Sequence, residues 1–243
     1  IDPPIMSITL SVNDSPLAGK EGDKITSRNI RDRLYRESEG NVAISVNDTE
    51  NSDAFDVSGR GELQLSILVE TMRREGFELS ISQPKILFQI DQITKKILEP
   101  IEEVVIDVDS DFSGNIVEKL SGRGGILKEM FETNNGKQRL KFLAPSRSLI
   151  GYHGEFLTDT KGTGVLTKTF DSFAEKKGNV NARKNGVMVS TTTGKAVPYA
   201  LWNLEERGNI IIESNSEVYS GMIIGEHSKS NDLEVNPLKN KQL

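Results

Sequence analysis

The sequence predicts an α+β protein: two ferredoxin-like βαββαβ domains followed by a small β-rich C-terminal domain. Three observations carry this prediction. Short stretches of strict alternation, such as Met6, Ile8, Leu10 and Val12 against Ser7, Thr9 and Ser11, mark half-buried strands. Between them lie stretches with apolar residues at helical spacing, clearest over residues 58–76, where Leu65, Leu68, Val69 and Met72 form one stripe. Finally, Arg60-Gly61-Glu62-Leu63 is echoed by His153-Gly154-Glu155-Phe156, each preceded by strand and loop. Such an echo points to two copies of one supersecondary unit.

The first unit occupies residues 1–97. Residues 5–12 form its first strand, and a polar loop with Pro16, Gly19 and Gly22 follows. Thr26 or Ser27 can cap a helix in which Ile30 and Leu34 share a face, with Arg28, Arg31, Arg33 and Arg36 mostly opposite and Gly40 at its end. Val42, Ile44 and Val46 alternate as a second strand, residues 47–53 make the turn, and Phe55 and Val57 belong to a third strand. The helix over 58–76 carries Glu62 in its first turn, where the positive end of the macrodipole favours a carboxylate. Arg73 and Arg74 fall in its last turn, and Gly76 supplies a left-handed cap. Phe77, Leu79 and Ile81 complete the unit as its fourth strand.

Residues 84–100 form an extended connector. The second unit, residues 98–175, opens on the alternation of Val104, Ile106 and Val108. Residues 114–132 predict a helix interrupted or re-aimed at Gly122, Gly124 and Gly125. A strand at 138–144, a short helix at 154–161 and a closing strand at 165–170 follow, and the order expected is again βαββαβ. From residue 176 the texture changes. Short apolar runs (Val187-Met188-Val189, Ile210-Ile211-Ile212, Met222-Ile223-Ile224) are split by Gly194, Gly208, Gly221 and Gly225, which predicts a small β-rich unit over 176–243. Residues 228–243 read as a loop. The chain opens without Met, and both ends are expected to continue in a longer protein.

The 243 residues include no cysteine, which excludes disulfides and thiolate metal sites and fits a reducing, cytoplasmic compartment. No apolar run approaches the roughly 20 residues a membrane span needs. The net charge of −6 is uneven: the first two units carry −4 each and the third +2. A basic surface on an acidic protein can still engage phosphate, because charges farther away than about 8–10 Å are screened.

No phosphate loop of the G-x-x-x-x-G-K-[ST] kind is present. Thr193-Gly194-Lys195-Ala196 comes nearest, but Val189 stands where the first glycine belongs and Ala196 has no hydroxyl for a metal. Asp107, Asp109, Asp111 and Glu118 fall at calcium-loop offsets, yet Phe112 occupies the position whose sharp turn needs glycine. His153 and His227 are the only histidines, too few for zinc. Glu62 and Glu155 could be imagined as an acid/base pair, but their matching places at two helix starts favour a dipole contact. Gly122-Arg123-Gly124-Gly125 could cradle a phosphate with backbone N–H groups, Arg123 adding charge, or the glycines could let the chain bend. No nucleophile, base or metal set emerges, so no catalytic, metal or cofactor residue is assigned. The residues alone point to a binding or regulatory module.

A resemblance sharpens this. Ser58, Gly59, Gly61, Glu62, Leu63 and Leu65, with Pro84 and Phe88 beyond, resemble domain III of translational GTPases of the elongation factor G group. Glu99-Pro100-Ile101, Gly114, Arg123-Gly124-Gly125, Gly151-Tyr152, Thr160, Gly162, Gly164 and Phe170 resemble domain V of the same group. Only the connector separates the two, so the domain that elongation factor G inserts there is absent. Residues 183–238 closely resemble the C-terminal domain peculiar to the BipA/TypA family of ribosome-associated GTPases.

The resemblance implies a ribosome-bound role with ribosomal RNA and tRNA as partners. It also implies a monomer without enzymatic activity of its own, GTP and magnesium being expected in a preceding GTPase half. Arg and Lys position proteins on phosphate, and the expected contacts are Arg123, Arg147 and His153 in the second unit. In the third they are Lys176, Lys177, Arg183, Lys184, Lys229, Lys239 and Lys241. The alternative is a small-ligand regulatory module, since paired ferredoxin-like domains also bind metabolites and fold does not fix function.

Overall fold

The computed structural model describes residues 2–178 and 185–240. The chain divides into two compact units, Ile1–Asp14 with Ala18–Val180, and Ser15–Leu17 with Asn181–Leu243.

The first compact unit opens with β1 (Met6–Val12), α1 (Ser27–Gly40), β2 (Ser45–Asp48), β3 (Ala54–Gly59), α2 (Glu62–Arg74) and β4 (Leu79–Ile81). The sheet order is β2-β3-β1-β4, antiparallel throughout, which is the ferredoxin-like arrangement. Ile8, Leu10, Phe55 and Val57 meet Ile30 and Leu34 of α1 and Leu65, Leu68 and Met72 of α2 in one core. Thr26 caps α1, its hydroxyl accepting from the Asn29 N–H at 3.3 Å. Gly76 follows α2 at φ 90°, in the left-handed region that the cap needs. The second strand starts at Ser45, later than the alternation from Val42 suggested. The Asn41 side chain accepts from the Ala43 N–H at 3.1 Å and its carbonyl from the Ile44 N–H at 3.0 Å, closing a turn that leaves Val42 79% exposed.

One side chain gathers residues 19–22 of the loop after β1. The Glu78 carboxylate accepts from the N–H groups of Gly19, Glu21 and Gly22 at 2.7–2.9 Å, and these bonds hold its pKa at about 2.

The connector contributes one two-residue strand to each sheet: β5 (Lys85–Ile86) pairs with β1, and β6 (Gln89–Ile90) with β7 (Ile97–Val108). Next come α3 (Ser110–Gly122), β8 (Ile126–Glu132), β9 (Gln138–Pro145), the short α4 (Ser146–Leu149), α5 (Tyr152–Asp159) and β10 (Val165–Glu175). The order β10-β7-β9-β8 repeats that of the first sheet, strand for strand. Residues 126–132, predicted as the far half of a helix, instead form β8. The helix stops because Gly124 adopts φ 86° and the Gly125 N–H donates to the Leu120 carbonyl at 2.8 Å. A Cβ on Gly125 would lie 2.9 Å from that carbonyl. Leu127 then packs on the core while Ile126 and Phe131 face outward. β8 supplies the second strand that the βαββαβ order requires.

The two sheets of this unit meet locally. Ile150 and Phe170 lie against the first core, the Gly151 N–H donates to Glu62 Oε1 at 3.3 Å, and Lys168 Nζ stands 3.9 Å from Glu62.

The second compact unit contains β11 (Val187–Ser190), β12 (Gly194–Lys195), α6 (Pro198–Glu205), β13 (Gly208–Ile210), β14 (Glu217–Val218), β15 (Ile223–His227) and β16 (Leu233–Val235). The main sheet runs β13-β15-β11-β16, and β12 pairs with β14. Met188, Ala196, Leu201, Val218, Ile224 and Val235 form its core. The tail read as a loop therefore contributes a strand, parallel to β11 with Met188 opposite Leu233. Three residues offer a single alternation, too little to register as a strand without its partner. α6, opened by Pro198 at its start, was also invisible in the periodicity.

Candidate nucleic-acid interface

Arg123 caps α3, its N–H donating to the Lys119 and Leu120 carbonyls at 3.1 Å each. Its guanidinium donates to the Ser148 carbonyl at 2.9 Å and to Glu155 Oε2 at 2.6 Å, and lies 5.1 Å from the centre of the Tyr152 ring. Lys119 Nζ meets the other Glu155 oxygen at 2.9 Å and Asp159 at 2.7 Å. Asp159 and Glu155 together raise the Lys119 pKa, while burial pushes the Tyr152 hydroxyl up to about 12. Lys119 of α3 and Arg123 at its C-cap thus face two carboxylates of α5, and the cluster is neutral. Glu155, predicted as a dipole contact, does sit in the first turn of α5, but its partners are these two cations. For Arg123 to bind phosphate, it would have to give up Glu155.

Arg147 of α4 is similarly committed. Its Nε and Nη2 bind the Glu99 carboxylate, the latter at 3.2 Å, and Nη2 also donates to the Lys177 carbonyl at 2.5 Å. The side chains of Arg147 and Glu99 are only 13% and 3% exposed. The Lys177 N–H returns to Glu99 at 3.4 Å, which ties the segment after β10 to the start of β7. His153 stands exposed in the first turn of α5, its ring 6.4 Å from that of Phe156.

Arg123, Arg147, His153 and Lys177 thus gather around α4 and the start of α5, but in different states. The two arginines are half-buried and neutralised. Lys176 and Lys177 keep exposed side chains with no carboxylate partner among the described residues, Lys176 resting 4.9 Å from the centre of the Phe88 ring. In the second compact unit Lys229 and Lys239 are exposed and equally without a carboxylate partner among the described residues. Arg183, Lys184 and Lys241 lie outside the described residues.

The sequence reading missed Arg207, Tyr199 and Trp202. Arg207 follows α6, exposed and without a carboxylate partner among the described residues. Tyr199 and Trp202, three apart on α6, are 38% and 67% exposed. The signal that could have found them is the chain's single tryptophan, three residues after a tyrosine and four after a proline.

Among the described residues no three His, Cys, Asp or Glu gather to hold a metal ion. Asp107, from the calcium-like pattern, is bonded to Arg139 at 2.6–2.7 Å. His227 is buried with Nδ1 2.6 Å from the Asn231 carbonyl. Ala196, from the phosphate-loop approximation, is fully buried.

Twin ferredoxin-like sheets with exposed cations beside them fit the class that the motifs resemble, that of domains of the elongation factor G type. Comparison with known proteins agrees. Residues 96–184 match the model of the elongation factor G C-terminus, and residues 185–243 match that of the TypA/BipA C-terminal domain. The chain belongs to the TypA/BipA family. It is 49% identical over 244 residues to the large ribosomal subunit assembly factor BipA of Haemophilus influenzae, covering all of this chain and 39% of that protein. It is 48% identical to the protein of that name from Salmonella typhimurium and 45% to that from Synechocystis sp., again over its whole length and 40% of each relative. The chain therefore spans about two fifths of the length of the curated relatives it matches.

Proposed function

We propose that this chain binds the ribosome as the C-terminal part of a TypA/BipA-type translational GTPase. On this reading it contacts ribosomal RNA and tRNA near the factor-binding and peptidyl-transferase regions, and acts in the cytoplasm as a monomer. It supports assembly of the large subunit, as the relatives' name indicates for them, and growth under stress or cold. GTP and its magnesium belong, on this reading, to a separate GTPase domain, and the chain itself contributes binding.

The observation that carries the reading is the contrast in charge state. Arg123 and Arg147 are neutralised within the fold, whereas Lys176, Lys177, Lys229 and Lys239 stay exposed without carboxylate partners among the described residues. Exposed, unpaired cations are what phosphate positioning requires. Cosedimentation with large ribosomal subunits across a salt series tests it. Each phosphate neutralised should add about 0.7–0.9 to the downward slope of log affinity against log salt. Binding that ignores salt, or no binding at low salt, sinks the proposal.

One observation favours the small-ligand alternative: a cavity of about 650 Å³ lined by Met6, Ile8, Leu65, Val69 and Ile81. A saturable rise of several degrees in melting temperature with a metabolite would support it.

A further inference from the structure

The second compact unit contains a cleft of about 460 Å³ at α6 and β16, lined by Tyr199, Asn203, Arg207, Glu234, Asn236 and Lys239. Its volume falls in the range of roughly 300–1,000 Å³ typical of small-ligand sites. The lining offers three chemistries at once. Arg207 and Lys239 supply two positive charges with no carboxylate partner among the described residues. Tyr199 presents an aromatic face, and Trp202 stands one helical turn away. The hydrogen-bonding groups are polarised by their own partners. Asn203 Nδ2 donates to the Tyr199 carbonyl at 2.7 Å, which leaves its Oδ1 as acceptor. Asn236 Oδ1 accepts from the Leu238 N–H at 2.9 Å and from Thr192 at 3.2 Å, which leaves its Nδ2 as donor. Glu234 adds a carboxylate with no cation in ion-pair range among the described residues.

We infer that this cleft binds one unstacked nucleotide, its base against Tyr199 and its phosphate on Arg207 and Lys239. Phosphate needs the cations and a base needs the ring, and stacking tolerates any sequence because every base has a π-face. A duplex keeps its bases stacked inside, so the cleft suits a splayed, single-stranded position. The acceptors Glu234 and Asn203 Oδ1 match an exocyclic amine, which adenine, cytosine and guanine carry and uracil lacks. The nucleotide can belong to a single-stranded RNA segment or be free, since both present the same chemistry. Only the RNA source rests on the ribosome-binding reading above.

Trp202 is the chain's only tryptophan, so its fluorescence reports on this face. The full chain is titrated with hexamers of cytidine, adenosine or uridine and with CMP and AMP. The amine-bearing hexamers should change the signal saturably and bind several-fold tighter than the uridine hexamer. Tyr199→Ala should weaken binding about five- to a hundredfold, and Tyr199→Phe should keep it. Arg207→Met and Lys239→Met should each reduce the salt slope by about 0.7. CMP or AMP binding as tightly as the hexamers identifies a free-nucleotide site, and hexamer binding alone identifies an RNA site; both uphold the inference. Silence with every probe overturns it, as does unchanged affinity in a Tyr199→Ala, Arg207→Met double variant. So does a response to RNA-free ribosomal protein but to no oligonucleotide. Cosedimentation run in parallel keeps the two readings apart. Wild type that pellets with ribosomes but ignores all nucleotides defeats this inference alone. Wild type that binds hexamers but never pellets defeats the wider reading alone.

Discussion

Arg147 holds the Glu99 carboxylate with two nitrogens of its guanidinium while donating to the Lys177 carbonyl at 2.5 Å. The pair is almost dry, and it fastens the chain leaving β10 to the strand that begins the second sheet. A cation that looked available for RNA in the sequence is thus a structural clamp.

Removing one member of such a pair strands the other charge in the interior. Arg147→Met should therefore destabilise the protein by about 3–5 kcal/mol in urea unfolding. Arg147→Met combined with Glu99→Leu should recover most of that loss, because no buried charge is left over. A single variant within about 1 kcal/mol of wild type would show that water reaches Glu99 and that the clamp is weak.

Arg123 should behave as a tie between helices. Arg123→Met and Glu155→Gln should each destabilise, and a double-mutant cycle should return a coupling of about 0.5–3 kcal/mol. The salt slope of RNA or ribosome binding should stay unchanged in Arg123→Met. A slope that falls by a full phosphate contact would restore Arg123 to the interface.

Glu102 lies 6% exposed on the inner side of β7, where burial raises its pKa against the opposing pull of Lys168. The folded state then holds its proton to higher pH than the unfolded chain does. Stability should fall as pH rises from the ordinary carboxylate range through the raised value. Glu102→Gln should raise the melting temperature at pH 7 and lose this advantage near pH 4. An equal effect at both values would mean that Glu102 titrates normally.

Glu78 has the opposite sign. Three backbone N–H bonds hold its pKa near 2, below its ordinary 4.5, so its contribution is present above about 4.5 and fades as pH drops towards 2. Glu78→Gln should flatten the acid limb of the melting curve over that window. It should also speed hydrogen exchange at Gly19, Glu21 and Gly22, measured by mass spectrometry on peptides covering the loop. Unaltered exchange there would mean the loop is ordered by other contacts.

The repeated fold was legible because its cues are local. The alternation in β1 and β7, the stripe of α2 and the left-handed Gly76 each depend on residues a few positions apart, and the period of the backbone converts them directly into faces. The strand at 126–132 was not legible. Its residues suit a helix or a strand, and the choice falls to Gly124 and Gly125, which end α3, and to β9, which offers unpaired backbone groups. β16 was hidden for the same reason, since its partner β11 lies more than forty residues earlier.

The charged residues divide along the same line. Sequence alone determined how many cations each unit carries and that the third has an excess. It could not distinguish Arg123 from Lys239, because neutralisation depends on a carboxylate's position in space. Arg123 meets Glu155, 32 residues onward, and Arg147 meets Glu99, 48 residues back. Lys239 meets none among the described residues and instead borders a cleft with Tyr199 and Arg207. Only packing decided which charges the fold consumes and which it leaves in water, because Coulomb attraction falls with distance through the folded molecule and is blind to separation along the chain.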